Sequence, residues 1–115
     1  MQYMLLIYED ESVYGENKDG PAMNEIVARH MAFVRELGAK RLGGAGLKST
    51  KAATTVRTVG GDQTIHDGPF AESKEQLGGY YWIAAADLDE AIAIARRVPL
   101  GKNGSVEVRP LLRDM

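Results

Sequence analysis

Apolar and polar positions alternate at the start of the chain and then change period. From Gln2 to Tyr8, residues Tyr3, Leu5 and Ile7 fall on one face of an extended strand and Met4, Leu6 and Tyr8 on the other. Both faces are apolar, so both are expected to be covered. Residues 9–20 are acidic, polar and glycine-bearing, which predicts a loop. Over residues 21–38 the period lengthens: Met23, Ile26, Val27, His30, Phe33, Val34 and Leu37 recur at helical spacing. Pro21 suits the first helical position, because its missing N–H would be unpaired there anyway. Gly38 supplies a stop.

Gly43-Gly44-Ala45-Gly46 predicts a bent or bulged strand over residues 40–48. Ala53 to Val59 is rich in Thr and Val, Gly60-Gly61-Asp62 is a hairpin turn signal, and Gln63 to His66 returns. Asp67-Gly68-Pro69-Phe70 makes a further turn, since Pro69 donates no N–H and restricts Gly68. One helical turn is expected within Ala71 to Gln76. Leu77 to Ala85 reads as a strand with Tyr81 and Ile83 opposite to Tyr80 and Trp82. Asp87 then caps a second helix, with Glu90 three residues on. Its expected buried stripe is Leu88, Ala91, Ile92, Ala95 and Val98, and Pro99 ends it. Ser105 to Arg109 is a last strand, with Val106 and Val108 inward and Glu107 and Arg109 on the other face.

The order is β-α-β, a β-hairpin, then β-α-β. Setting the hairpin aside leaves the βαββαβ ferredoxin-like plan, an α+β fold. Right-handed crossovers put both helices on one face of an antiparallel sheet. The other face, carrying Tyr80 and Trp82 or their alternates, is left bare. A bare aromatic face marks an interface. Two sheets packed across a twofold axis would close it, giving a homodimeric α/β barrel. The hairpin folding over that face within one chain is the alternative.

Composition narrows the function classes. The chain of 115 residues is read as one domain, 1–115, with 44% hydrophobic and 26% charged residues. A formal net charge of −2 gives no basic footprint for nucleic acid. The absence of cysteine excludes disulfides, thiolate catalysis and Cys-ligated zinc. The apolar start is short and runs directly into Glu9-Asp10-Glu11, so neither a signal peptide nor a membrane association is expected, and a cytoplasmic location is. The two histidines share no metal-binding spacing, and no cofactor or metal is expected. No phosphate loop and no nucleophile elbow is present.

The run His66-Asp67-Gly68-Pro69-Phe70-Ala71-Glu72-Ser73-Lys74-Glu75-Gln76-Leu77-Gly78-Gly79-Tyr80-Tyr81 resembles the signature of the DGPF-motif proteins of the YCII-related superfamily. Tyr3 to Tyr8, Asp87 to Ala91 and Gly104 to Pro110 match the same family, so the resemblance spans essentially the whole chain. It implies a dimeric α+β barrel but no settled activity. Many members are encoded beside extracytoplasmic-function sigma factors. The superfamily contains a dehydrochlorinase and has a proposed His-Asp pair. Its helix-one histidine corresponds to His30. Its aspartate belongs to an Asp-Pro step after the second helix, where this chain has Val98-Pro99.

His30, on an apolar helix stripe, is a candidate catalytic acid or base, because imidazole titrates near neutral pH; the alternative is a core histidine with its N–H groups paired. Asp67 is the second candidate catalytic residue, orienting His30 or taking a substrate proton, or else an acceptor within its own turn. Phe70, Glu72 and Arg109 are candidate ligand-binding residues. For them the alternatives are a packing anchor, a solvated charge, and an ion pair between Arg109 and Glu107. The expected function is cofactor-free lyase or isomerase chemistry on a small molecule. A non-catalytic binding or regulatory module associated with a sigma factor is the alternative.

Overall fold

A computed structural model describes all 115 residues. Six strands and two α-helices follow in chain order: β1 (Gln2–Glu9), α1 (Pro21–Leu37), β2 (Arg41–Gly46), β3 (Thr54–Val59), β4 (Asp62–Asp67), β5 (Gln76–Ala84), α2 (Leu88–Ala95) and β6 (Ser105–Pro110). Four strands form one antiparallel sheet in the order β2-β5-β1-β6, and β3 and β4 pair separately. This mixed α+β arrangement is compatible with the ferredoxin-like plan.

The alternation in β1 decides which face is core. Tyr3, Leu5 and Ile7 are buried, and across the β1–β5 pair Tyr3 stands opposite Ile83 and Leu5 opposite Tyr81. Phe33 and Leu37 of α1, Ala91 and Ile94 of α2, and Val98 beyond it complete one cluster on this face. Met4, Leu6, Tyr8, Tyr80 and Trp82 line the opposite face, where no helix packs, and all stay partly exposed. Leu5 has no exposed surface. Leu5→Ala is therefore expected to cost about 2–5 kcal/mol of unfolding free energy in urea titration, and a loss below about 1 kcal/mol would contradict this packing.

Three expectations are corrected. Residues 71–76 contain no helical turn; instead the Gln76 side chain donates to the Ser73 carbonyl at 2.6 Å and tethers an irregular bend. The buried stripe of α2 is Ala91 and Ile94, continued by Val98, whereas Leu88 and Ile92 are 50% and 36% exposed. The phase differs because the inward line runs through the small Ala91, which lets α2 lie close to the sheet. The capping pair is present but reaches further back: Glu90 N–H donates to Asp87 and Ala86 N–H donates to Glu90, each at 2.9 Å. Last, β1 continues one residue past Tyr8, so Glu9 extends the inward alternation.

The β3–β4 pair stands apart from the body and does not roof the open face of the sheet. Its cross-strand neighbours Val56 and Ile65 are 59% and 73% exposed. The Cα radius of gyration is 15.5 Å, against roughly 13 Å for a compact chain of this length. A two-stranded ribbon alone is marginal in water, and this one leaves apolar side chains exposed.

Candidate functional site

Helix α1 leaves a gap over the β2–β5 side of the sheet, and the gap is a cleft of about 450 Å³. Ile26, Val27, His30, Met31 and Val34 line it from α1, Ile7 and Glu9 from β1, Arg41 and Gly44 from β2, and Tyr81 from β5. Val27 and Met31 are 45% and 57% exposed because they face this opening rather than the sheet.

His30 is the centre of the arrangement. Its Nδ1 lies 2.7 Å from the Tyr81 hydroxyl, and the two rings stack at 5.8 Å. The Pro99 backbone lies near enough to act on the charge of the ring. With a phenol O–H as its neighbour, Nδ1 is assigned as the acceptor of the neutral ring, which leaves the N–H on Nε2. Nδ1 then carries the lone pair and accepts from Tyr81 O–H. Burial holds the imidazole below its ordinary 6.5; Glu9 pulls it up, Arg29 lowers it further, and the Pro99 backbone raises it. Burial likewise raises the Tyr81 phenol, against an opposing pull from Arg41.

The depressed imidazole has a signed consequence. Below 6.5 the unfolded chain binds more protons at this position than the folded one. His30 thus contributes stability that is present above the unfolded value and lost as pH falls through the folded midpoint. A titration of the His30 ring protons by NMR is expected to show a midpoint below 6.5, and one at or above that value would contradict the burial.

Glu9 anchors the floor. It is 8% exposed, accepts from the Tyr14 hydroxyl at 2.6 Å and also accepts from Gly101 N–H. A Cβ at Gly101 would lie 2.9 Å from the carboxylate and collide with the Tyr14 oxygen, so this position needs glycine. Asp10 caps the short turn Glu11–Tyr14 that swings Tyr14 back over Glu9. Both burial and the facing carboxylate raise the Tyr14 phenol, so it stays protonated and donating.

Arg41 enters through an irregularity in β2. The register shifts between Arg41 and Gly43, with Arg41 opposite the inward Ile83. Such a bulge re-aims a side chain. A Cβ on Gly44 would stand 2.8 Å from the Tyr80 carbonyl and 3.0 Å from the Tyr81 ring, so a glycine there lets the strand, Tyr81 and the guanidinium come together.

The other candidates lie elsewhere. Asp67 ends β4, is exposed and does not line the cleft, so Tyr81 rather than Asp67 stands on His30. Phe70 is 74% exposed beneath Arg57, whose guanidinium carbon is 5.2 Å from the ring centre. Glu72 is exposed beside the bend after β4. Arg109, on the open sheet face, donates through Nε to Glu107 at 2.8 Å. Val98, at the position of the superfamily aspartate, is a buried core residue. Sequence reasoning missed Glu9, Tyr14, Arg41 and Tyr81 as site residues. The signal for two of them was the alternation itself, which carries Glu9 and Tyr81 inward.

No group of three or more His, Cys, Asp or Glu side chains is placed to hold a metal, and no helix is long and apolar enough to cross a membrane. The YCII-related domain model matches residues 1–113. A relative in Rhizobium meliloti (strain 1021), "Uncharacterized protein R00369", is 43% identical over 117 residues, covering 96% of this chain and 92% of the relative.

Proposed function

Since the chain belongs to the YCII-related domain family, we propose that it is a cofactor-free enzyme that moves a proton on a small molecule held between α1 and the sheet. The observation that carries this reading is the His30–Tyr81 contact of 2.7 Å at the wall of an open, mostly apolar cleft. A C–H proton of the substrate passes to the Tyr81 oxygen while the Tyr81 hydroxyl proton passes to His30 Nδ1. The substrate keeps the electron pair as an enolate or carbanion, and the imidazolium that forms is favoured by the Glu9 charge. If a leaving group then departs with its bonding pair, the outcome is elimination. If a proton returns to a different carbon, the outcome is isomerisation. Depressing the imidazole keeps it neutral, and able to accept, at pH 7.

The working form in this proposal is a homodimer. Helices cover one sheet face only, and Met4, Leu6, Tyr8, Tyr80 and Trp82 remain partly exposed on the other. A second copy of the same face is the self-complementary partner that twofold symmetry supplies.

Phenylpyruvate joins an enolisable carbon to a carboxylate and an apolar ring, and it serves as the probe. In deuterated buffer the protein is expected to speed loss of its benzylic proton signal well above the buffer rate. Exchange at the buffer rate for this and other enolisable acids would defeat the proposal.

A further inference from the structure

The cleft contains a cation with a buried donor left unpaired. The Arg41 Nε is fully buried and has no hydrogen-bond acceptor. Its Nη2 donates to the Gly44 carbonyl at 3.0 Å, and no carboxylate lies within ion-pair distance of the guanidinium. Buried polar atoms normally find partners, so a half-buried guanidinium whose Nε is sealed away without an acceptor invites a ligand oxygen. The one carboxylate lining the cleft, Glu9, is already held by Tyr14 and Gly101. The Lys18 amine lies toward the same end of the cleft without pairing with Glu9: a Cβ on Gly78 would lie 3.5 Å from Lys18 Nζ and 3.8 Å from Glu9 Oε1. Lys18 is pinned there by donating to the Leu47 carbonyl at 2.9 Å. Lys18, Arg35 and Arg41 stand against Glu9 alone among the lining residues, so the cleft carries surplus positive charge.

From this we infer that Arg41 anchors the acidic head of the substrate, and that the substrate class is small organic carboxylates with an apolar body. The inference rests on the reading of the cleft as a proton-transfer site and adds what that site selects. The planar fork of a guanidinium matches a carboxylate in two parallel hydrogen bonds. The apolar wall formed by Ile26, Val27, Met31 and Val34 suits a hydrocarbon or aromatic body rather than a naked ion. Arg41 borders the same corner of the cleft as the Tyr81 ring, since a Cβ on Gly44 would stand 3.0 Å from the ring and 3.4 Å from the guanidinium, and its charge favours the phenolate. A carboxylate on the guanidinium therefore brings the carbons next to it toward the proton-handling pair.

The test compares phenylacetate, its neutral isostere phenylacetamide and inorganic phosphate, each titrated against the full-length protein. The readout is the His30 ring-proton signal, with His66 on the exposed β4 strand as internal control. Phenylacetate is expected to shift His30 saturably and to bind at least about tenfold more tightly than the amide. Arg41→Gln should abolish that preference and Arg41→Lys restore part of it, in proteins whose remaining spectrum is unchanged. If the Gln variant does not fold, the Lys variant alone must show a weakened preference. Equal binding of the amide, equal binding of phosphate, no saturable shift of His30 with any of the three, or a preference that survives both substitutions would each overturn the inference. Carboxylate preference without proton exchange on phenylpyruvate would sink the catalytic reading and leave Arg41 as a binding residue. Exchange without carboxylate preference would do the reverse.

Discussion

His30→Ala is expected to slow proton exchange on phenylpyruvate by about 10²–10⁴-fold, the range for loss of a positioned acid–base group. The reason is geometric. Nδ1, assigned the lone pair of the neutral ring, stands 2.7 Å from the Tyr81 hydroxyl, so without it the proton leaving Tyr81 has no acceptor. Tyr81→Phe should have an effect of similar order, because it removes the oxygen that meets the substrate and leaves Nδ1 behind a ring edge. The two losses should not add: once one member of the relay is gone, removing the other changes little. Glu9 is different. It carries no proton in this scheme, and its share is the field that favours the imidazolium. Additive rather than overlapping losses for His30→Ala and Tyr81→Phe would show that the two side chains do not act as one unit.

The second large effect concerns the bare sheet face. Wild-type protein is expected to sediment at twice the 12.5 kDa chain mass at micromolar concentration. Leu6 lies on the central strand β1, between β5 and β6, and faces away from the helices. In a face-to-face dimer, Leu6→Arg buries a charge with no counter-charge on the symmetry axis or near it. Self-association should weaken by about 3–5 kcal/mol, on the order of a thousandfold. In a lone chain the same substitution would be nearly silent, because the side chain is partly exposed already. Sedimentation equilibrium separates the two outcomes: a wild-type monomer, or a Leu6→Arg variant that dimerises undiminished, contradicts the proposed interface.

Much of the framework was legible from periodicity alone. The bounds of α1 follow from Pro21 and the apolar repeat, and the observed Pro21–Leu37 ends at the glycine named as its stop. The period-two alternation grouped Tyr3, Leu5 and Ile7 on one face of β1 and Tyr81 and Ile83 on one face of β5 without saying which face is core, and both groups are buried together. The glycine run after Arg41 indicated a bulge, and the register does shift there. The site was only half legible. His30 stood out because a lone imidazole interrupts an apolar stripe. Its partner did not, because alternation tells which face Tyr81 occupies and says nothing of which helix residue it meets. Glu9 was read as the start of an acidic loop, since charge outweighed the phase of the strand it ends. Arg41 was hidden because a bulge breaks the alternation by which its direction would be read. Asp67 drew attention through its motif, yet β3 and β4 pair with each other and hold it away from the cleft.

In the proposed reaction a neutral His30, relayed through Tyr81, takes the substrate proton. The sharpest check overlays two curves on the same protein: the pH dependence of proton exchange on phenylpyruvate, and the NMR titration of the His30 ring. The groups whose charge bears on that ring are Glu9 and Arg29, while Arg41 acts on the adjoining Tyr81. Exchange is expected to rise with pH and to reach half of its plateau at the His30 midpoint, below 6.5. A rate that is flat across the His30 titration, or that rises only with a separate group, would contradict the relay.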